Sequence, residues 1–209
     1  GQEVSSGKFM NISDLKVGMA MSHVKFDYLI MDACFMSSME ALYDLRESAD
    51  YIIASPVEIM AYGFPMNNVI PVLFNHKKDI RSRMIGVGET FYNFYNAQNG
   101  LSQSGSIAVI DCSEIYRFTS VVNELYAKGL KDVDIEKVQV LQGIAGGVYT
   151  FHDFEDYMKF ACSSEDIPML KRALDKMIIY SETTPYVYSD FIDWSFATNE
   201  RVCGISIFI

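Results

Sequence analysis

One cysteine, two carboxylates and three histidines are the residues whose types and spacing could do chemistry. Cys34 follows the apolar run Tyr28-Leu29-Ile30-Met31 and stands just ahead of a helical pattern. In an open α/β sheet, reacting groups sit at the carboxyl ends of strands. A helix N-terminus beyond such a strand would lower a thiol pKa. Asp32, two positions earlier, points to the same side of an extended chain, and Glu58 follows shortly after the next strand pattern. A nucleophilic thiol usually needs an imidazole as its base. His23 precedes the strand that Cys34 follows, so roughly 25 Å of extended chain, at ~3.3 Å per residue, would separate the two. His76 lies in the charged "FNHKKD" and reads as surface, while His152 in "TFHDFED" reads as a capping or packing residue at a helix start. On the residues alone two readings of Cys34 stay open, a nucleophile whose base lies elsewhere and a buried packing thiol.

The elements that must position these groups are legible around them. Phe26 to Met31 reads as a buried strand. Ser37-Ser38-Met39-Glu40 has the S-x-x-E form of a capping box, opening a helix to about Glu47. Tyr51-Ile52-Ile53-Ala54 reads as a second strand, stopped at Ser55-Pro56. Strand, helix, strand with short connections is a βαβ unit and predicts a parallel pair. Before it, residues 12–22 have helical spacing after Asn11 as a cap. After it come a helix near 67–75, an amphipathic stretch over 76–98, a strand at 106–113 and a helix in "EIYRFTSVVNELYAKGL". Residues 132–148 are ambiguous, with Gly146-Gly147 marking a loop. Two helices follow at 152–162 and 166–180, then a closing strand in "RVCGISIFI". Alternating strands and helices predict one three-layer α/β domain over 1–209, with a mostly parallel central sheet.

Composition narrows the function. With 50% hydrophobic residues in 209, the chain can bury one sizeable core. A net charge of -10 disfavours a nucleic-acid partner and favours cationic ligands. No apolar run reaches the ~20 residues of a membrane span. Cys112, Cys162 and Cys203 show neither CxxC spacing nor clustering with histidine, so they read as buried packing thiols. Gly86-Val87-Gly88 lacks the third glycine and the preceding strand of a dinucleotide loop. No acidic cluster has the spacing of a calcium loop, and no cofactor is predicted.

The stretch "FDYLIMDACFMSSMEALYDLRESADYIIASP", residues 26–56, resembles the nucleophile segment of clostripain-like cysteine peptidases, relatives of the gingipains, caspases and legumain. Asp32-Ala33-Cys34, the helix from Glu40 to Leu45 and the run Ala49 to Ser55 carry the likeness. "FHDFEDYMKFA" and "CGISIFI" carry it more loosely. The resemblance implies a caspase-like fold and an endopeptidase cutting after Arg or Lys, with Cys34 attacking the carbonyl. Asp32 would supply the acid that receives a basic side chain, the alternative being a brace for the Cys34 turn. Ser55 and Glu58 would border the same pocket, Glu58 reading otherwise as an ordinary loop carboxylate. The family's base lies in a His-Gly motif upstream of the cysteine, and this chain has no His-Gly. The expectation is therefore that an upstream companion chain, separated by processing, carries the histidine and completes the sheet. The other reading is an inactive relative that binds peptides or a protein. The family also implies a secreted or cell-envelope location in a bacterium. Calcium, associated with clostripain, is not encoded by any motif here.

Overall fold

A computed structural model describes residues 5–144, 148–189, 194–197 and 202–209. The loop expected at Gly146-Gly147 lies outside the described residues. The chain begins with helix α1 (Ile12–Met21), capped by Asn11, whose side chain accepts the Asp14 N–H. Then come β1 (Phe26–Ile30), α2 (Met39–Leu45) and β2 (Ala49–Ala54), followed by α3 (Met66–Leu73), α4 (Ile80–Asn96), β3 (Ser106–Asp111) and α5 (Ile115–Ala127). The last part holds β4 (Val140–Ile144), β5 (Val148–Asp153), α6 (Phe154–Ala161), α7 (Ile167–Met177), β6 (Ile178–Thr183), the pair β7 (Tyr186–Ser189) and β8 (Trp194–Ala197), and β9 (Ser206–Phe208).

The main sheet has the order β1-β2-β3-β6. It is mixed, which corrects the expectation of a mostly parallel sheet. β1 and β2 are parallel, while β2–β3 and β3–β6 are antiparallel. The connection between β2 and β3 explains the difference. A single crossover helix would return the chain to the starting end of the sheet and make the next strand parallel. Here two helices intervene. Arg81, at the start of α4, pairs with Asp111 at the end of β3. Tyr95, near the end of α4, reaches Gly63 just beyond β2. The helix pair thus brings the chain back to the end it left, and β3 must run down.

Alternation along the strands divides the core between the two faces of this sheet. Ile52, Ala54, Ala108 and Ile110 pack with Leu42 and Leu45 of α2, Phe118 of α5, Met158 of α6 and Leu174 of α7. Ile53, Ile107 and Val109 pack with Val69 of α3 and with Met84, Val87, Phe91 and Tyr95 of α4. Gly86 and Gly88 serve this packing. A Cβ at Gly88 would lie 2.7 Å from the Tyr180 ring, and one at Gly86 would lie 2.9 Å from Val72.

A second sheet, β4-β5-β9, is antiparallel. On its other side β9 meets the chain after Cys34, through a parallel bridge between Ser38 and Ser206. Two local expectations change. α7 stops at Met177, and the β-branched run that follows forms β6. β1 is an edge strand among the described residues, with Phe26 39% exposed and Tyr28 to Ile30 half-buried, rather than a buried strand.

Candidate active site

The parallel pair β1–β2 continues past its last residues, and that continuation builds the site. Met31 N–H donates to the Ile53 carbonyl. Phe35 N–H then donates to the Val57 carbonyl at 3.1 Å, and Ser37 N–H to the Ser55 carbonyl at 3.0 Å. Cys34 therefore stands at the carboxyl end of β1, between the Met31 tie to β2 and the Phe35 tie to the segment that follows β2.

Its electrostatic partner differs from the expected one. Helix α2 begins at Met39, and its cap is Ser38, one residue later than the S-x-x-E pattern suggests, with the Ser38 hydroxyl accepting the Ala41 N–H. The amide that reaches Cys34 belongs to Ile59, whose N–H points at Sγ from 3.3 Å. The Ile59 carbonyl lies 3.9 Å from the same sulfur. Burial pushes the Cys34 thiol above its ordinary value. The Ile59 N–H pulls it down, while Glu58 and Asp32 push it further up. The chain alone holds this sulfur as a thiol at neutral pH.

Of the three residues expected around Cys34, Asp32 and Glu58 act on its sulfur, while Ser55 bonds to Val57 and Ser37. Asp32 accepts the Phe64 N–H at 3.3 Å. It lies against Gly63, which has φ +62 and where a Cβ would come 2.6 Å from an Asp32 oxygen. The loop after β2 is thus folded onto Asp32, and only glycine fits there. Glu58 is 7% exposed, and its Oε2 has no hydrogen-bond partner among the described residues. A carboxylate buried this way favours a cation beside it. Ser55 is fully buried, and its hydroxyl both donates to the Val57 carbonyl and accepts the Val57 N–H. Its contribution is to shape the turn that carries Glu58 and Ile59.

The residue reading missed Tyr95. Its hydroxyl donates to the Gly63 carbonyl at 2.8 Å, anchoring the loop over Asp32. Burial first, then Asp32 and Cys34, pushes its phenol up to about 12. A tyrosine in an amphipathic helix carries no sign of such a task.

None of the three histidines hydrogen-bonds to Cys34. His23 sits in the exposed turn before β1 with φ +55, and His76 is exposed. His152 does not open a helix, as expected, but lies buried on β5, with Asp153 capping α6 instead. Its Nδ1 has no partner among the described residues, and burial lowers its pKa. Among the described residues no cluster of three His, Cys, Asp or Glu side chains gathers to hold a metal ion, and no helix is long and apolar enough to cross a membrane.

Cys112, Cys162 and Cys203 are buried, as expected, at 4%, 5% and 6% exposure. Cys34 is the more accessible thiol.

The structure is a mixed α/β domain that delivers a thiol at a strand end beside two carboxylates, and the comparisons say which proteins share it. The clostripain family model matches residues 1–204, and the chain belongs to that family. It is 28% identical to a clostripain from Bacteroides thetaiotaomicron in complex with the peptide inhibitor BTN-VLTK-AOMK, with a TM-score of 0.87, over 99% of this chain and 89% of that one. It is 29% identical to a secreted C11 cysteine protease from the same organism, called iotapain, with a TM-score of 0.85, over 95% of this chain and 54% of that one. It is also 29% identical to an inactive zymogen C11 protease from Parabacteroides distasonis, with a TM-score of 0.82, over 98% of this chain and 57% of that one. The chain thus spans nearly all of the first relative and just over half of the other two. No curated protein sequence matches it.

Proposed function

We propose that this chain is the nucleophile-bearing part of a cysteine endopeptidase that cleaves after Arg or Lys, with the histidine of its Cys-His dyad on an upstream companion chain. The observation that carries the reading is the placement of Cys34. It stands at a strand end with an amide N–H on its sulfur and two carboxylates around it, and no histidine touches it. In the reaction, the Cys34 sulfur attacks the peptide carbonyl as its proton passes to the companion's imidazole, which then protonates the leaving amine. Water hydrolyses the thioester and regenerates the thiol. The imidazole also offsets what burial and the two carboxylates do to the thiol, by favouring thiolate.

Asp32 and Glu58 supply the negative charge for a basic side chain, and the buried Glu58 oxygen without a partner is the stronger indication. The inhibitor bound to the Bacteroides clostripain carries the peptide letters VLTK, ending in lysine. The companion has a place to join. β1 has an open edge among the described residues. An added strand would pair with that edge and cover it. Two relatives have chains nearly twice as long, one of them described as a zymogen. A secreted or cell-envelope location, and action without a resident cofactor, complete the proposal.

The test is to express residues 1–209 with and without the upstream segment of the same protein and assay Arg and Lys peptide reporters. Activity only with the segment supports the reading. Full activity of 1–209 alone refutes the split site. Cleavage of acidic or neutral reporters in preference to basic ones refutes the specificity.

A further inference from the structure

Phe35, the residue after Cys34, has φ +59. A bulky side chain rarely adopts this left-handed conformation, where glycine or asparagine would be at ease. Such an outlier persists only when its surroundings hold it, and outliers gather at functional sites. The surroundings here are specific. The Phe35 ring stacks on Phe151 of β5, with centroids 4.9 Å apart and planes 14° from parallel. Phe151 pairs in register with Phe208 of β9. The next turn of chain is tied to the same place, since the Ser37 hydroxyl donates to the Gly204 carbonyl at 2.7 Å and Ser206 N–H donates to the Ser37 carbonyl at 3.0 Å. The Phe35 N–H in turn holds Val57, two residues before the Ile59 amide that meets Sγ. Cys34, Phe35, Val57 and Ile59 thus form a closed ring of contacts, braced from outside by the second sheet.

We propose that Phe35 is a positioning residue for the Cys34 thiol, kept in its left-handed conformation by the stack on Phe151, so that the C-terminal sheet sets the geometry of the nucleophile. This rests on the reading of Cys34 as the nucleophile. Released from the stack, Phe35 relaxes toward an ordinary conformation, and Cys34 leaves both its half-buried seat and the Ile59 N–H. Glu58 and Asp32 are the titratable groups that act on the thiol, and Asp32 and Cys34 in turn act on the Tyr95 phenol.

The experiment measures alkylation of Cys34 by iodoacetamide, a small neutral reagent, against pH in the purified protein. In parallel it measures kcat and KM of the two-chain enzyme on a basic reporter. The variants are Phe151→Leu, Phe151→Tyr, Phe35→Ala and Phe35→Asn, with the last two also combined with Phe151→Leu. The wild-type thiol should titrate above the ordinary cysteine value. Phe151→Leu and Phe35→Ala should bring it down toward that value, so that alkylation at pH 7 rises by up to about tenfold per unit, while kcat falls at least about tenfold with KM little changed. Asparagine accepts the left-handed region, so Phe35→Asn should restore both readouts in the Phe151→Leu background, and Phe35→Ala should not. Phe151→Tyr keeps the ring and should behave as wild type. If Phe151→Leu does not fold, the contrast between Phe35→Asn and Phe35→Ala with Phe151 intact decides the matter. Equal behaviour of asparagine and alanine at position 35, or an unmoved pH profile, would overturn the proposal. Wild-type labelling away from Cys34 would instead overturn the nucleophile reading, and this inference with it.

Discussion

The amide N–H of Ile59 donates to the sulfur of Cys34 across 3.3 Å, although the two residues stand 25 positions apart. The thiol is therefore held by the chain after β2 as much as by its own strand. A donor aimed at sulfur favours thiolate, but only modestly against the burial that opposes it. Among the described residues no histidine hydrogen-bonds to that sulfur, so the Ile59 amide is the main group that favours its thiolate.

Thiol chemistry should be confined to Cys34. Burial pushes the Cys112 thiol up to about 12, and Cys162 and Cys203 are also raised and buried. The thiolate is the reactive form. Treating the native protein with a peptide-like thiol-reactive inhibitor and mapping the adduct by mass should place it at Cys34. Principal labelling at any of the other three would contradict this.

Asp32→Asn keeps size and removes charge. Loss of a charge pairing worth ~3 kcal/mol should lower kcat/KM on Arg and Lys reporters by roughly two orders of magnitude. Alkylation of Cys34 by a small neutral reagent should persist. Because Asp32 also accepts the Phe64 N–H, the same change can loosen the loop over it. If cleavage and alkylation vanish together, Asp32 is a brace. Glu58→Gln, which removes the charge whose oxygen has no partner, then becomes the variant expected to lose basic selectivity.

Gly88→Ala should destabilise the fold by about 1–3 kcal/mol, measured by denaturant unfolding. The added methyl meets the Tyr180 ring at 2.7 Å and a Val109 methyl at 3.0 Å, and neither can retreat easily from the interface between α4 and the sheet. A neutral outcome would mean that α4 is free to shift outward.

The segment around Cys34 was legible because its signals are local. Strand, cap, helix and strand occur within thirty-odd residues, with Asp32 and Cys34 following β1 and Ser55 and Glu58 following β2. What sequence could not show is carried by groups without a residue signature. The Ile59 amide is backbone, and every residue but proline has one. The left-handed Phe35 is not glycine, so nothing flags its conformation. β1 looked buried because an apolar run reads the same whether one neighbouring strand or two pair with it. β6 was missed because α7 runs into it with no glycine or proline between. The mixed sheet was missed because a pair of helices reads, residue by residue, like the single crossover of a parallel unit.

Asp153 gives a prediction about stability against pH. It caps α6 and also accepts the Cys203 N–H at 2.8 Å. Those two donors favour its charged form, yet burial outweighs them and raises its pKa to about 6. In the unfolded chain an aspartate titrates near 3.9. The native state therefore binds a proton that the unfolded state has already released. The stabilisation from that proton is full below about pH 4 and is lost as pH rises through about 6. Two units of difference correspond to about 2–3 kcal/mol. Other carboxylates with lowered pKa values, such as Asp166 and Asp79, act in the opposite direction, so the wild-type curve alone does not isolate this residue. Asp153→Asn does, because asparagine can still cap the helix but does not titrate. Urea unfolding of both proteins between about pH 4 and pH 7 should show the variant gaining 2–3 kcal/mol, on the order of the shift, relative to wild type as pH rises. Most of that gain should fall before about pH 6. A difference between the two that stays flat across the range would show that the two backbone donors hold Asp153 charged in the native state after all.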